Sequence, residues 1–216
     1  FFSIFFFNVT LCFFFSYLFK SENMLHIITS WNDYFTGNQT PLQSFEYLKQ
    51  QNPSGANVYF LNCLFRSITS ESAGGALYCT SATYFLIESS SFFSCKTSSS
   101  GGAIYFSNTG SGQCVLYGVC GYDCCSTSSS SSYYQFACME VNNAASCKNY
   151  VNYSSIVSCV NVISSSHYVL RLVNGKICCP SVNMSMNKCP YISGICCNPF
   201  QDLNSVICSI SYSSFA

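Results

Sequence analysis

Seventeen cysteines, eight carboxylic acids, eight lysines and arginines and two histidines are the groups in these 216 residues able to do polar chemistry. Cleavage of a polymer by hydrolysis or elimination needs convergent groups, two carboxylates or a carboxylate beside a poised cation. The acids Glu22, Asp33, Glu46, Glu71, Glu88, Asp123, Glu140 and Asp202 stand singly, no two closer than 11 residues. Asp123 has the most suggestive neighbours, Cys124 and Cys125, and a repeat register that brings it near Lys96. Its expected role is still that of a surface turn aspartate. Glu88 is the acid that stacking of successive repeats could gather towards it. Metal chemistry has less to work with. His26 and His167 are the only histidines, and Cys120-x3-Cys124-Cys125 and Cys189-x6-Cys196-Cys197 lack the spacing of structural zinc knuckles. Cys147 and His167 could act as a nucleophile and base only if the fold joined them. The reading assigns no catalytic, cofactor-binding or metal residue and implies no cofactor.

The elements that would position these groups are written in composition and repeats. Only 7% of residues are charged, 17% are aromatic and 49% are apolar, with zero formal net charge. Disordered chains have the opposite bias. Nucleic-acid binding is not expected, because no basic footprint exists. Solubility falls to uncharged Ser, Thr and Asn.

Residues 1–19 hold 15 apolar residues and only Ser3, Asn8, Thr10 and Ser16 as polar ones, with Lys20 the first charge. That length lies between a signal-peptide core and a spanning helix. An N-terminal hydrophobic helix is expected here, either a cleaved signal segment or a membrane anchor; a Phe-biased stretch with no targeting role is the plain alternative. Cysteine usage agrees with export. Setting Cys12 aside leaves sixteen cysteines from Cys63 to Cys208, an even set that could pair outside the cell, although buried cysteine also serves as small core filler. Four N-x-[ST] sites, at Asn8, Asn38, Asn152 and Asn183, are what 18 Asn and 50 Ser plus Thr produce by chance, so they permit secretion without arguing for it.

Beyond residue 50 the chain repeats. Gly74-Gly75-Ala76-Leu77-Tyr78 returns as Gly101-Gly102-Ala103-Ile104-Tyr105. The preambles Cys63 to Ser70 and Ser91 to Ser98 match with one residue of slippage, and apolar runs at Val58 to Leu61, Tyr84 to Ile87 and Val115 to Tyr117 precede them. Each period of 27 residues thus offers three short strands divided by Ser, Gly and Asn turns, and no amphipathic helix pattern. One coil of a parallel β-helix fits this. The Gly-Gly step should turn a corner where chains approach closely, with Gly74 over Gly101 and Leu77 over Ile104. Past Gly112 the repeat degrades: Tyr133-Tyr134-Gln135-Phe136 stands where a third Gly-Gly-Ala is due. Strand-like runs follow at Ser155 to Ile163, Tyr168 to Val173 and Ser205 to Ile210, with an Ile-Cys-Cys echo at Ile177 and Ile195. Irregular further coils are the expectation, a separate Cys-rich cap the alternative. Residues 20–50, with Trp31, Asp33, Tyr34 and Phe35, have the position of an N-terminal cap.

Phe-x-x-Ile or Phe-x-x-Cys followed by Gly-Gly-Ala-[Leu/Ile]-Tyr resembles the repeat of polymorphic outer-membrane protein families, which carry a Phe-x-x-Asn element before Gly-Gly-Ala. It is also similar to Cys- and Ser-rich right-handed β-helix surface proteins of protist parasites. The resemblance covers roughly residues 56–125. It departs at the Asn, replaced by Ile68 and Cys95, and an autotransporter-type barrel is not expected within these 216 residues. What it implies is a surface-displayed right-handed parallel β-helix used for adhesion or antigenic display, with no catalytic residue to transfer.

The chain is therefore expected to be all-β: a segment at 1–19, a cap at 20–50 and a right-handed parallel β-helix over 51–216. Its expected role is a non-catalytic, adhesin-like module of the cell surface or medium. The expected partner is a host-cell or matrix ligand, glycan or protein, with the membrane engaged through residues 1–19 if they are uncleaved. The alternatives are a carbohydrate-active β-helix enzyme and a non-functional fragment of a larger surface protein.

Overall fold

The computed structural model describes residues 31–43, 46–128, 134–160, 168–187, 194–201, 208–211 and 214–215. The hydrophobic helix expected over residues 1–19 lies outside them, as do Glu22, His26, His167, Cys189 and Asp202.

The described chain is a parallel β-solenoid with one four-residue helix, α1 (Trp31–Tyr34). The first sheet stacks β1 (Asn57–Leu61), β5 (Tyr84–Glu88), β9 (Gln113–Tyr117), β13 (Lys148–Asn152), β16 (Lys176–Pro180) and β19 (Cys208–Ser211). The second stacks β2 (Leu64–Arg66), β6 (Ser91–Phe93), β10 (Cys120–Tyr122), β14 (Ser155–Val157), β17 (Asn183–Ser185) and β20 (Ser214–Phe215). A third, short sheet holds β3 (Thr69–Ser70), β7 (Lys96–Thr97) and β11 (Cys125–Ser126). The fourth holds β4 (Leu77–Cys79), β8 (Ile104–Ser107), β12 (Ala137–Glu140), β15 (Leu170–Val173) and β18 (Ile195–Asn198). The regular coils thus have four faces where the repeat suggested three strands. The two-residue third strand is too short to show an apolar alternation.

Register follows the glycine repeat. Leu77 pairs with Ile104 and Tyr78 with Tyr105, and the Gly74 and Gly75 amides donate to the carbonyls of Ser100 and Gly101. A Cβ on Gly74, at φ +66°, would lie 2.0 Å from the Leu77 carbonyl oxygen, so only glycine fits. The expected one-residue slippage is absent: Leu64, Phe65 and Thr69 pair directly with Ser91, Phe92 and Lys96. The side-chain match is ambiguous by one residue because two adjacent phenylalanines, Phe92 and Phe93, stand against the single Phe65. Later coils vary in size. Backbone amides meet the side chain one coil on after 27 residues at Cys63, 29 at Cys95, 35 at Cys124 and 28 at Cys159. The extra residues sit in corners, leaving the strands in register.

The degraded half continues the same solenoid. Gly101, Gly102 and Ala103 donate to the carbonyls of Tyr134, Gln135 and Phe136, which occupy the third Gly-Gly-Ala place. Phe136 is fully buried where the earlier coils have Ala76 and Ala103. The space comes from the neighbouring sheet, where Gly121 replaces the inward Phe65 and Phe92 and a Cβ would lie 2.3 Å from the Phe136 ring. The Ile-Cys-Cys echo is not a stacked repeat, since Ile177 belongs to β16 of the first sheet and Ile195 to β18 of the fourth.

Alternation sends Phe60, Phe85, Ile87, Leu116 and Val151 inward from the first sheet, against Phe65, Phe92 and Ile156 from the second and Leu77, Ile104 and Leu172 from the fourth. Phe65 and Phe92 stack with centroids 4.6 Å apart. Residues 42–51 bridge the first coil at Phe60, Phe65 and Leu77, and the Tyr47 ring stacks on Phe65 at 4.8 Å. Trp31 and Phe35 lie elsewhere, across the outer side of the first sheet, on Tyr59, Leu86 and Val115 of three successive coils.

Candidate functional site

Cys95, Cys124 and Cys159 are placed by one corner of the solenoid. At the corner after the second sheet the chain passes through a left-handed residue, Ser67, Ser94, Asp123, Ser158 or Met186, with φ between 48° and 57°. The next residue turns inward: Ile68, Cys95, Cys124, Cys159 and Asn187, all buried. The Cys95 amide donates to Cys124 Sγ at 3.4 Å, the Cys124 amide to Cys159 Sγ at 3.4 Å, and the Cys159 amide to Asn187 Oδ1 at 2.7 Å. The thiols of Cys95, Cys124 and Cys159 in turn donate to the carbonyl two residues back, at 3.5, 3.3 and 3.3 Å. A thiol thus does at each rung what the amide of Asn187 does at the last. The preceding corner uses Ser90 and Ser154 hydroxyls in the same way, receiving the amides of Cys63 and Val119. Burial pushes the Cys124 thiol well above its ordinary range, and for Cys95 the bond to Cys124 is the larger cause, with burial second.

Fourteen of the described cysteines are thiols, and Cys120 is disulfide-bonded. Of the two readings the sequence left open, disulfide pairs or small core filler, the inward ladder follows the second, its sulfur–hydrogen groups acting as donors. Cys120 lies on an outward position of β10, while Cys124 turns into the core, so the Cys120, Cys124 and Cys125 run does not converge. Among the described residues no group of three His, Cys, Asp or Glu side chains is arranged to hold a metal. Cys147 donates to Asn142 Oδ1 at 3.6 Å, and its suggested partner His167 lies outside the described residues.

Asp123 sits at a left-handed corner, φ 52°, accepts a bond from Ser94 Oγ at 2.8 Å and pairs with Lys96 Nζ at 3.5 Å. Glu88 ends β5 on the outer side of the first sheet, buried, with the Tyr59 hydroxyl donating to it at 2.6 Å. The second sheet, three residues or roughly 10 Å of strand, separates the corner beside Glu88 from the corner of Asp123. The gathering considered for these two acids does not occur. Glu88 instead shares its surroundings with Tyr34, Tyr59, Tyr117 and Asp33, a nest closed by α1, in which the Asn152 amide nitrogen donates to Tyr34 Oη at 3.3 Å. Burial of Asn152 also removes its N-x-[ST] site from reach in the folded chain.

The fourth sheet presents a different outer side. Tyr78, Tyr105, Cys138, Arg171 and Cys196 form one column through five coils. The Tyr78 and Tyr105 rings are stacked 5.6 Å apart and 12° from parallel, and both stay half-exposed. Arg171 pairs with Glu140 and lies over the Tyr134 ring, 4.8 Å from its centroid. Tyr134 stacks with Tyr168 at 6.1 Å. Beneath them Cys138 is covered, its thiol pushed up to about 12 by burial and by Glu140 against the opposing pull of Arg171. The Tyr78 and Tyr105 rings are half-exposed and the Tyr105 hydroxyl bonds the Ser107 side chain, so this side offers aromatic and polar contacts along a row. Sequence reasoning singled out Tyr78, Tyr105 and Tyr134 as repeat residues but missed Glu140, Tyr168 and Arg171. Their only sequence signal is the 33-residue spacing of Tyr105, Cys138 and Arg171, hidden until the corner insertions are known.

Set against known families, curated proteins and solved structures, the chain matches no family model, no curated protein and no solved structure. Among the described residues no helix is long and apolar enough to cross a membrane.

Proposed function

We propose that this chain is an exported, surface-displayed right-handed β-helix that binds a host-cell or matrix ligand along its side without turning it over. The observation that carries the reading is the half-exposed row of Tyr78, Tyr105, Tyr134, Tyr168, Arg171 and Glu140 on the fourth sheet. Solenoids use such extended sides for recognition, and tyrosine and arginine supply rigid amphipathic contacts with little side-chain entropy to lose. The carboxylates add support to binding over turnover: among the described residues each of the three ion pairs holds one acid, and Glu88 and Asp123 face different surroundings.

Binding of the purified chain to cells and to extracellular matrix is the test. Tyr105→Ala combined with Arg171→Ala should weaken it by about tenfold or more, the size expected when hot-spot contacts are truncated. Glu88→Ala and Asp123→Ala should leave it unchanged, with no glycan depolymerised. Depolymerisation of any glycan at a rate abolished by Asp123→Ala would establish the enzyme reading instead.

A further inference from the structure

The half-exposed cysteines among the described residues are Cys178, Cys196, Cys197 and Cys208, all at the C-terminal end of the solenoid. Two of these look outward. Cys178 follows Tyr150 in the outer column of the first sheet, and Cys196 follows Arg171 in that of the fourth. The other two look inward. Cys197 stacks over Leu172 and Cys208 over Ile177, both core residues, and each packs against the main core. The fourth and first sheets are consecutive along the chain, so β18 and β19 set these thiols side by side in one coil, and they hydrogen-bond each other. The corresponding positions one coil earlier hold only apolar side chains, Leu172 and Ile177. Cys179, two residues beyond Ile177 on β16, is buried.

We infer that Cys197 and Cys208 are a modification site, a dithiol that oxidises to a disulfide and latches the last coil, while the ladder of Cys95, Cys124 and Cys159 stays reduced. The two classes differ in access and in what sulfur does. The ladder thiols are fully buried and donate to backbone carbonyls, and the sulfurs of Cys124 and Cys159 also receive the amide of the coil before, so oxidation would break bonds inside the core. Cys197 and Cys208 reach solvent, and their mutual bond is the one an S–S bond replaces. The oxidant is a low-molecular-weight disulfide. One thiol loses its proton and attacks a sulfur of oxidised glutathione, forming a mixed disulfide and releasing a glutathione thiolate. The second thiol, also as thiolate, displaces the remaining glutathione. Two protein thiols are oxidised and one glutathione disulfide is reduced to two thiols. The bond closes the loop between β18 and β19, and loop-closure entropy then suppresses opening of that coil on the order of a hundredfold.

The test treats the reduced full-length chain with oxidised glutathione at mildly alkaline pH, quenches with an alkylating agent and maps cysteines by mass spectrometry. The expected product is a peptide pair joined through Cys197 and Cys208, with Cys95, Cys124 and Cys159 alkylated only after denaturation. Amide exchange in β18 and β19 should slow after oxidation by the factor given above. In Cys197→Ser or Cys208→Ser the surviving thiol should hold glutathione as a lasting mixed disulfide. Joining through Cys178, Cys179 or Cys196, lasting glutathione on both thiols of the unaltered chain, unchanged exchange, or oxidation of the ladder at the same rate would each overturn the assignment.

Discussion

At the residue scale the corners decide what each position tolerates. Gly101 and Gly118 both have φ above 60°, but a Cβ would lie 2.2 Å from the Ile104 carbonyl oxygen at Gly101 and no closer than 3.8 Å to anything at Gly118. Ser89 and Tyr153 already occupy the Gly118 corner in neighbouring coils with positive φ. Gly118→Ser should therefore cost about 1–2 kcal/mol, the left-handed penalty alone. Gly101→Ala should cost more than about 3 kcal/mol, because backbone must move. Urea unfolding of the two variants checks the contrast, and equal midpoints would refute it. The thiol ladder gives a second pair. Cys124→Ala strands the buried Cys95 amide and should cost about 1–3 kcal/mol. Cys124→Ser, which keeps an acceptor and donor as Ser90 and Ser154 do at the other corner, should cost less. A serine variant as unstable as the alanine one would mean that sulfur packing, not hydrogen bonding, is what the ladder needs.

At the scale of elements, volume is exchanged between sheets. Phe136 fills from the fourth-sheet corner the space that Phe65 and Phe92 fill from the second sheet, and Gly121 makes room for it. Phe136→Ala should cost about 3–5 kcal/mol as a cavity. Adding Gly121→Phe, which on its own clashes with the ring, should recover a large part of that loss; additive costs in the double-mutant cycle would disprove the exchange. The docking of α1 is a second element-scale property, and pH tests it. Burial, the largest cause, pushes Tyr34 from 10.0 up to about 12, and Tyr59 is raised in the same direction by burial and by its bond to Glu88. A phenol raised on folding is favoured neutral. The stability it lends is complete below about pH 10 and is lost as pH climbs through about 12. Trp31 is the only tryptophan and packs on Tyr59 and Phe35. Its fluorescence should report release of α1 between about pH 10 and 12, in the tyrosine ionisation window. A signal flat to pH 12 would show that these phenols do not hold the helix.

For the whole molecule, each coil is completed by its neighbours, so contacts between successive coils carry stability and function is spread along a side. Surface charge contributes little to this. Lys96 and Asp123 are both partly exposed, and Asp123→Ala should shift stability by no more than about 1 kcal/mol. A larger loss measured by thermal unfolding would give that corner a role beyond its turn. The outer side of the first sheet is covered at Tyr59, Leu86 and Val115 by Trp31 and Phe35, while the fourth keeps its row of tyrosines half-exposed, so the two sides differ in what they can meet.

Sequence by itself determined the class of fold and the register of the Gly-Gly-Ala-[Leu/Ile]-Tyr segment in its first coils. Two copies of Gly-Gly-Ala-[Leu/Ile]-Tyr at a solenoid period, with strand-length apolar runs between them, admit few other architectures, since close backbone approach demands glycine wherever coils turn together. It also located Tyr134 to Phe136 at the third turn and put Lys96 beside Asp123. Tertiary structure decided the rest for a geometric reason. Once corners absorb insertions, coils of 27, 29, 35 and 28 residues stack as well as equal ones. Which residues share a column then depends on where the extra chain loops out, and no local pattern records that. Hence Arg171 joins the tyrosine row, Glu88 and Asp123 stay a sheet apart, and the cysteines divide into a reduced ladder and a reachable pair.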